Sequence, residues 1–308
     1  ARGGARVIIA DEQNEFGGSL LNGTEKLDGK PASEWIHAVV EELSTYDDVI
    51  LLPRSTVNGY HDHNFLTIHE RRTDHRQRMH RVRAKWVVLA TGAHERPLVY
   101  ANNDVPGCMI TGAVSAYINR YSVVPGNDLV VMTTNDYGYQ AALDWADAGR
   151  NVVAIVDTRD AAIGDRVEAA RQRGLTIILG SAVIEVQGTK RVTGVSVAAL
   201  SSDGTKVVGS VTKLKADTVA TSGGWSPVIH LSCHTGSRPV WSDSVVGFLP
   251  GPTPQKQLTA GGTNGQYETS MALQEGLDAG QKALANINLA AVEVVLPKVE
   301  TLKVAAPM

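Results

Sequence analysis

The chain is 308 residues long, with 29 lysines and arginines against 32 aspartates and glutamates and a net charge of −3. That length holds two domains with their own cores, and the near balance of charge gives a polyanion no reason to bind. Thirty glycines against three phenylalanines ask for many tight turns and a core of valine, isoleucine, leucine and alanine. No apolar run is long enough to cross a bilayer, and no stretch has the make-up of a signal peptide. Cys108 and Cys233 are far apart and form no C-x-x-C pair. That excludes a reductase-type redox disulfide, and a cytoplasmic chain with reduced thiols is the expectation.

Ala1–Ala5 lead directly into Val7–Ala10, an apolar strand, followed by Asp11 and Glu12. In a βαβ nucleotide fold the second strand follows a helix and ends in an acid that binds ribose hydroxyls. The first strand and its G-x-G-x-x-G turn do not precede this one, so an internal piece of a longer protein is expected. Gly17-Gly18-Ser19 is a tight loop. Ser33–Leu43 reads as a helix with Trp35, Ile36, Val39, Val40 and Leu43 on its apolar face. Val49–Leu52 is a strand, and Ser55–Gly59, Phe65–Arg71 and Arg81–Ala84 read as a hairpin-rich insertion. Trp86–Ala90 is a short buried strand. It breaks into Thr91-Gly92-Ala93, where small side chains let backbone approach backbone or a ligand. This pattern is expected of an α/β chain with two Rossmann-like dinucleotide-binding domains, the second inserted in the first.

The second unit begins with a strand at Asp128–Met132, a helix at Gly138–Gly149 and a strand at Asn151–Val156 ending in Asp157. Gly174–Leu179 reads as a further strand. Ser181–Gln187, Val192–Ala198 and Ser210–Leu214 read as a three-stranded meander, and Asp217–Thr221 as a strand breaking into Ser222-Gly223-Gly224. Gln257–Ala260 then returns to the first unit, before Gly261-Gly262-Thr263 and a helix over about Glu268–Asn286. The expected division is 1–108 with 235–290 for the first domain, 109–234 for the inserted one, and 291–308 as a linker.

Asp11 and Glu12 are the strongest binding candidates. A carboxylate at that strand tip accepts from the 2′- and 3′-hydroxyls of an adenosine ribose and repels a 2′-phosphate, favouring NAD or FAD over NADP. The second unit carries the opposite signal. A diphosphate needs glycines at the strand–helix turn, but the sequence there is Thr133-Thr134-Asn135-Asp136-Tyr137-Gly138, with an acid that would repel phosphate. A degenerate site is expected. The return segment Gly261–Gly265 lacks the aspartate that flavoproteins of this architecture place there, which weakens FAD as the ligand of the first site. Gly262 and Thr263 approach the pyrophosphate instead, beside the start of the last helix.

His61, His63, His69, His75 and His80 cluster among arginines, but no ligand spacing supports a metal, and solvated hairpin faces are the better reading. Few aromatics accompany the basic run Arg71–Arg83, so no nucleic-acid platform is expected. His94, Glu95 and Arg96 follow the Thr-Gly turn, where one of the first two faces a ligand or Glu95 forms a structural ion pair. No Ser-His-Asp, Cys-His or paired-carboxylate set emerges from the spacing. No catalytic residue is assigned, and a binding subunit is expected rather than a self-sufficient catalyst.

Ala90–Met109, continuing through Tyr117–Tyr121, resembles the alpha subunit of bacterial heterotetrameric sarcosine oxidase. The likeness extends to Tyr60–Asn64, Thr133–Asp136, Gly188–Gly194 and Ser222–Pro227. The resemblance implies the central dinucleotide-binding region of that subunit. It further implies a complex with beta, gamma and delta subunits that oxidises sarcosine to glycine, yielding hydrogen peroxide and a one-carbon unit for tetrahydrofolate. FAD and FMN belong to the whole complex, and NAD to the first site of this region. By position, Asp11, Glu12 and Gln13 would contact adenosine, and Ser19 and Val57 would line the site. Ala90, Thr91 and Gly92 would approach the ligand, and Gly262, Thr263 and Ser270 would close it. The alternatives are an alpha subunit of a related FAD-dependent amine, opine or proline dehydrogenase, and a non-catalytic assembly scaffold.

Overall fold

The computed structural model describes residues 1–300. The chain forms two compact units, one from Ala1–Leu20, Thr24–His94 and Ser226–Glu300, the other from Leu21–Gly23 and Glu95–Trp225. The crossings fall after His94 and after Trp225, earlier on both sides than the boundaries at 108 and 234 drawn from sequence.

In the first unit, strand β1 (Val7–Ala10) and helix α1 (Ala32–Ser44) lead to strand β2 (Val49–Leu52). The two strands are parallel, with Val7 opposite Val49 and Ala10 opposite Leu52, and a parallel pair needs such a crossover helix. Helix α1 buries Ala32 and Ile36. Before it, Lys26–Leu27 and Lys30–Pro31 pair as a small hairpin, and Val299–Glu300 adds to its edge. Part of the segment expected as a linker is therefore a strand, and residues 301–308 lie outside the described residues. The insertion is an antiparallel meander of β3 (Ser55–His61), β4 (Phe65–Arg71) and β5 (Gln77–Arg83), with a register shift between Val57 and Gly59. Tyr60 and Leu66 from it pack with Val87 and Leu89 of β6 (Val87–Leu89) in one buried cluster.

The second unit is a three-layer sandwich. Its parallel sheet takes β7 (Cys108–Ile110), β8 (Asp128–Thr133), β9 (Asn151–Asp157), β10 (Ile177–Ile178) and β14 (Thr218–Ser222), in the order β7-β14-β8-β9-β10. Helices α2 (Thr111–Asn119), α3 (Tyr137–Asp147) and α4 (Asp165–Gln172) lie on the face to which Leu129, Val131 and Ile155 point. The opposite face, with Val130, Met132, Ala154 and Val156, packs on the meander β11 (Ser181–Gln187), β12 (Gly194–Leu200) and β13 (Val207–Leu214). A strand covered on both faces must be apolar at every position, and that is why Leu129–Met132 is an unbroken apolar run. Each unit thus has its own hydrophobic cluster.

The chain returns to the first unit through a short helix, His230–His234, and a hairpin of β15 (Val240–Ser242) and β16 (Gly247–Leu249). Strand β17 (Gln257–Thr259) pairs in parallel with β6, and a tight turn at Gly261–Asn264 precedes helix α5 (Thr269–Asn286). Among the described residues no strand bonds the β1–β2 pair to the β6–β17 pair.

Candidate dinucleotide site

Asp11 sits immediately after β1, at the C-terminal end of a parallel strand, where α/β folds place their ligands. Its backbone N–H donates to Leu52 O at 3.0 Å, and its carbonyl accepts from Ser55 N at 2.7 Å. One carboxylate oxygen, Oδ1, accepts from Gln13 N at 2.8 Å, and the other has no protein donor among the described residues. The side chain is thereby aimed while keeping acceptor capacity, as a ribose diol requires. Glu12 and Gln13 are exposed. Their carbonyls are held by Arg71 Nη2 at 2.8 Å and Arg54 N at 2.7 Å. Arg54 Nη1 also reaches Asn14 Oδ1 at 3.1 Å. Arg54, just before the meander, and Arg71, at the end of its second strand, both left unassigned by the sequence reading, fix the loop that carries Asp11.

Ala90, Thr91 and Gly92 follow β6, and Gly262 and Thr263 follow its partner β17, so the pairing itself brings them together. A Cβ on Gly262 would lie 3.1 Å from the Gly92 carbonyl carbon. Thr263 is buried, and its hydroxyl accepts from Gly92 N at 3.1 Å. The Thr91 hydroxyl donates to Val228 O at 2.6 Å and lies 3.1 Å from the Thr263 hydroxyl. Thr91, Gly92 and Thr263 thus tie one strand end to the other with groups that could otherwise have met a ligand. Glu275 on α5 was missed in the sequence. Its Oε2 accepts from Gly261 N at 2.8 Å and from Asn264 Nδ2 at 3.1 Å, so an acid does reach this turn, from the following helix. Ser19 is exposed in the turn Gly18–Leu21, and Ser270 is exposed in the first turn of α5. Val57 packs half-buried against the Tyr60–Leu89 cluster.

In the second unit the turn after β8 is filled. Asp136 is buried against Arg159, so its carboxylate meets a guanidinium rather than a ligand space. Glu95 is half-buried, taking hydrogen bonds from the Thr111 hydroxyl and from Gly112 N at 2.7 Å. Burial pushes its carboxyl above the usual carboxylate range despite these donors. Burial likewise raises the Cys108 thiol. Both cysteines are free. His80 pairs with Glu70 at 2.7 Å and His69 with Gln77 at 3.0 Å on the meander. No group of residues that could hold a metal occurs among the described residues. Nor is any described helix long and apolar enough to cross a membrane.

Residues 1–238 match the family described as pyridine nucleotide-disulphide oxidoreductase, and the chain belongs to that oxidoreductase family. The two Rossmann-like units are its fold. The thioredoxin reductase of T. acidophilum superposes with a TM-score of 0.71 at 18% identity, over 94% of this chain and 92% of that one.

Among particular proteins, the chain is 39% identical over 296 residues to the sarcosine oxidase subunit alpha of Corynebacterium sp. (strain P-1), and 37% identical over 309 residues to that of Rhizobium meliloti (strain 1021). These matches cover 92% and 97% of this chain, and it spans about 30% of the length of either relative.

Proposed function

We propose that the first unit holds NAD within the alpha subunit of a sarcosine oxidase complex. The observation that carries this reading is the Asp11 carboxylate, aimed by Gln13 N at the end of β1 and retaining a free acceptor oxygen. A ribose diol donates to such a group, and a 2′-phosphate is repelled by it. Asp11, Glu12 and Gln13 would hold the adenosine, with Ser19 and Val57 beside it. Gly92 and Gly262, the closely packed strand ends, would lie toward the pyrophosphate, with Ala90, Thr91, Thr263 and Ser270 around them. NAD, when bound, supplies a redox-active nicotinamide. This chain's own residues bind and orient it, and none is assigned to the oxidation of sarcosine. In this reading beta, gamma and delta subunits complete the complex, which carries FAD and FMN. Glycine and hydrogen peroxide leave it, and tetrahydrofolate receives the one-carbon unit. The inserted unit lacks the glycines of a diphosphate turn and is assigned no coenzyme.

The test is extraction of nucleotide from the purified intact complex. NAD recovered in proportion to the alpha chain supports the reading. FAD bound to the alpha chain supports the related-dehydrogenase alternative, and an alpha chain with no nucleotide supports a scaffold. Asp11→Ala removes an interaction worth about 1.5–3 kcal/mol and lowers NAD retention roughly 10- to 100-fold. Unchanged occupancy removes Asp11 from the site.

A further inference from the structure

In the second unit, a helix-start N–H and the strand-tip acid that a βαβ unit ordinarily offers a nucleotide are taken by the chain's own side chains. Two kinds of contact matter in such a unit. Backbone N–H groups at the helix start meet the diphosphate, and an acid at the end of the second strand meets the ribose.

At the helix start, Asn135 Oδ1 accepts from Tyr137 N at 2.9 Å, and Asn135 Nδ2 donates to Ser222 O and Oγ, both at 3.2 Å. The Thr133 hydroxyl donates to Asn135 O at 2.7 Å. Both residues are buried, so side chains occupy the volume that glycine would leave open. At the end of β9, Asp157 is fully buried and fully engaged. Arg159 Nε donates to its Oδ1 at 3.0 Å and Nη2 to its Oδ2 at 2.7 Å, while the Tyr139 hydroxyl donates to Oδ2 at 2.8 Å. The same Nη2 donates to Asp136 Oδ1 at 3.0 Å. The Arg159 side chain is 9% exposed and both carboxylates are 0% exposed. A single guanidinium therefore ties the strand–helix turn to the tip of the second strand.

We propose that the inserted unit is a nucleotide fold that has taken its own side chains as ligand: Asn135 replaces the diphosphate at the helix start, and Arg159 replaces the ribose on Asp157. The unit is a closed site for an adenine nucleotide, opened only when both side chains are removed together with the Asp136 carboxylate, which Arg159 holds and which would otherwise repel the diphosphate. This deepens the reading that the resident coenzyme belongs to the first unit and rests on it.

The test uses the full-length holoprotein, photolabelled with an azido-adenine dinucleotide and with azido-ADP, then mapped by peptide. In the wild type, residues 128–160 take no label. In Asn135→Gly/Asp136→Gly/Arg159→Ala they take label that unmodified ADP competes away, with at least ten-fold more incorporation than the wild type. A folded triple variant that takes no label overturns the proposal. So does specific labelling of 128–160 in the wild type, whatever the variant does. Arg159→Ala alone must leave the resident nucleotide content unchanged, and loss of that content also overturns the proposal. Failure of the first-unit reading registers separately, as unchanged coenzyme retention in Asp11→Ala.

Discussion

Gly262 and Glu95 show how single atoms constrain this fold. A methyl group at position 262 would sit 3.1–3.3 Å from the backbone of Gly92 and Ala93. Gly92 is itself held by Thr263, so the backbone has little room to give. Gly262→Ala should cost about 1–3 kcal/mol, as overpacking does, read by urea unfolding. Gly276→Ala is the control. It lies inside α5 with nothing within 4 Å of a new Cβ and should gain roughly 0.5–1 kcal/mol through helix propensity. Glu95 yields a pH prediction. Its folded-state pKa is raised by burial above the ordinary value of 4.5, so the folded state binds the proton more tightly than the unfolded chain. Its contribution is therefore most favourable below 4.5, declines as pH rises toward the raised value, and is constant above that. Measured from about pH 4 to about pH 7, the stability of the wild type relative to Glu95→Gln should fall with rising pH. A difference that rises with pH refutes the assignment.

At the level of elements, Gly138 sets the distance between α3 and β8. A Cβ there would meet the Thr133 Cβ at 2.5 Å, so Gly138 has kept the helix–strand packing role of the third glycine in a dinucleotide turn. Gly138→Ala should cost about 1–3 kcal/mol. Adding Thr133→Gly should recover part of that loss, leaving the double variant more stable than the two single losses predict. Additive losses would show that the contact does not set the distance. The strands of this unit were legible because Leu129–Met132 and Val152–Val156 are apolar runs between polar punctuation. The first-unit strands Val7–Ala10 and Val49–Leu52 match residue for residue. Three helices escaped the sequence reading, the five-residue His230–His234 among them. Thr111–Asn119 is built largely of small residues that blur helical periodicity, and half of Asp165–Gln172 is charged. The strand expected at Gly174–Leu179 shrinks to Ile177–Ile178, because Gly174 ends the turn after α4 in a left-handed conformation with φ of 68°. Of the candidate site, the tip carboxylate was legible from its strand. Arg159 was not, because its tie to Asp136 spans 23 residues and only the fold brings the two together.

On the scale of the whole molecule, two units with separate buried clusters should show two unfolding transitions, each answering to its own residues. Trp145 is fully buried in the second unit, with its indole N–H donating to Asn151 O at 3.1 Å. Trp145→Ala should cost that unit about 3–5 kcal/mol and lower one calorimetric transition. A dinucleotide bound by the first unit acts on the other. At a hundredfold excess over its dissociation constant, a ligand stabilises the state that holds it by about 2.7 kcal/mol, which raises that transition by roughly 5–10 °C. Asp11→Ala should abolish most of this NAD-dependent rise and leave the transition sensitive to Trp145 in place. If NAD instead raises the Trp145-sensitive transition, the coenzyme belongs to the inserted unit, and the assignment of the two units is reversed.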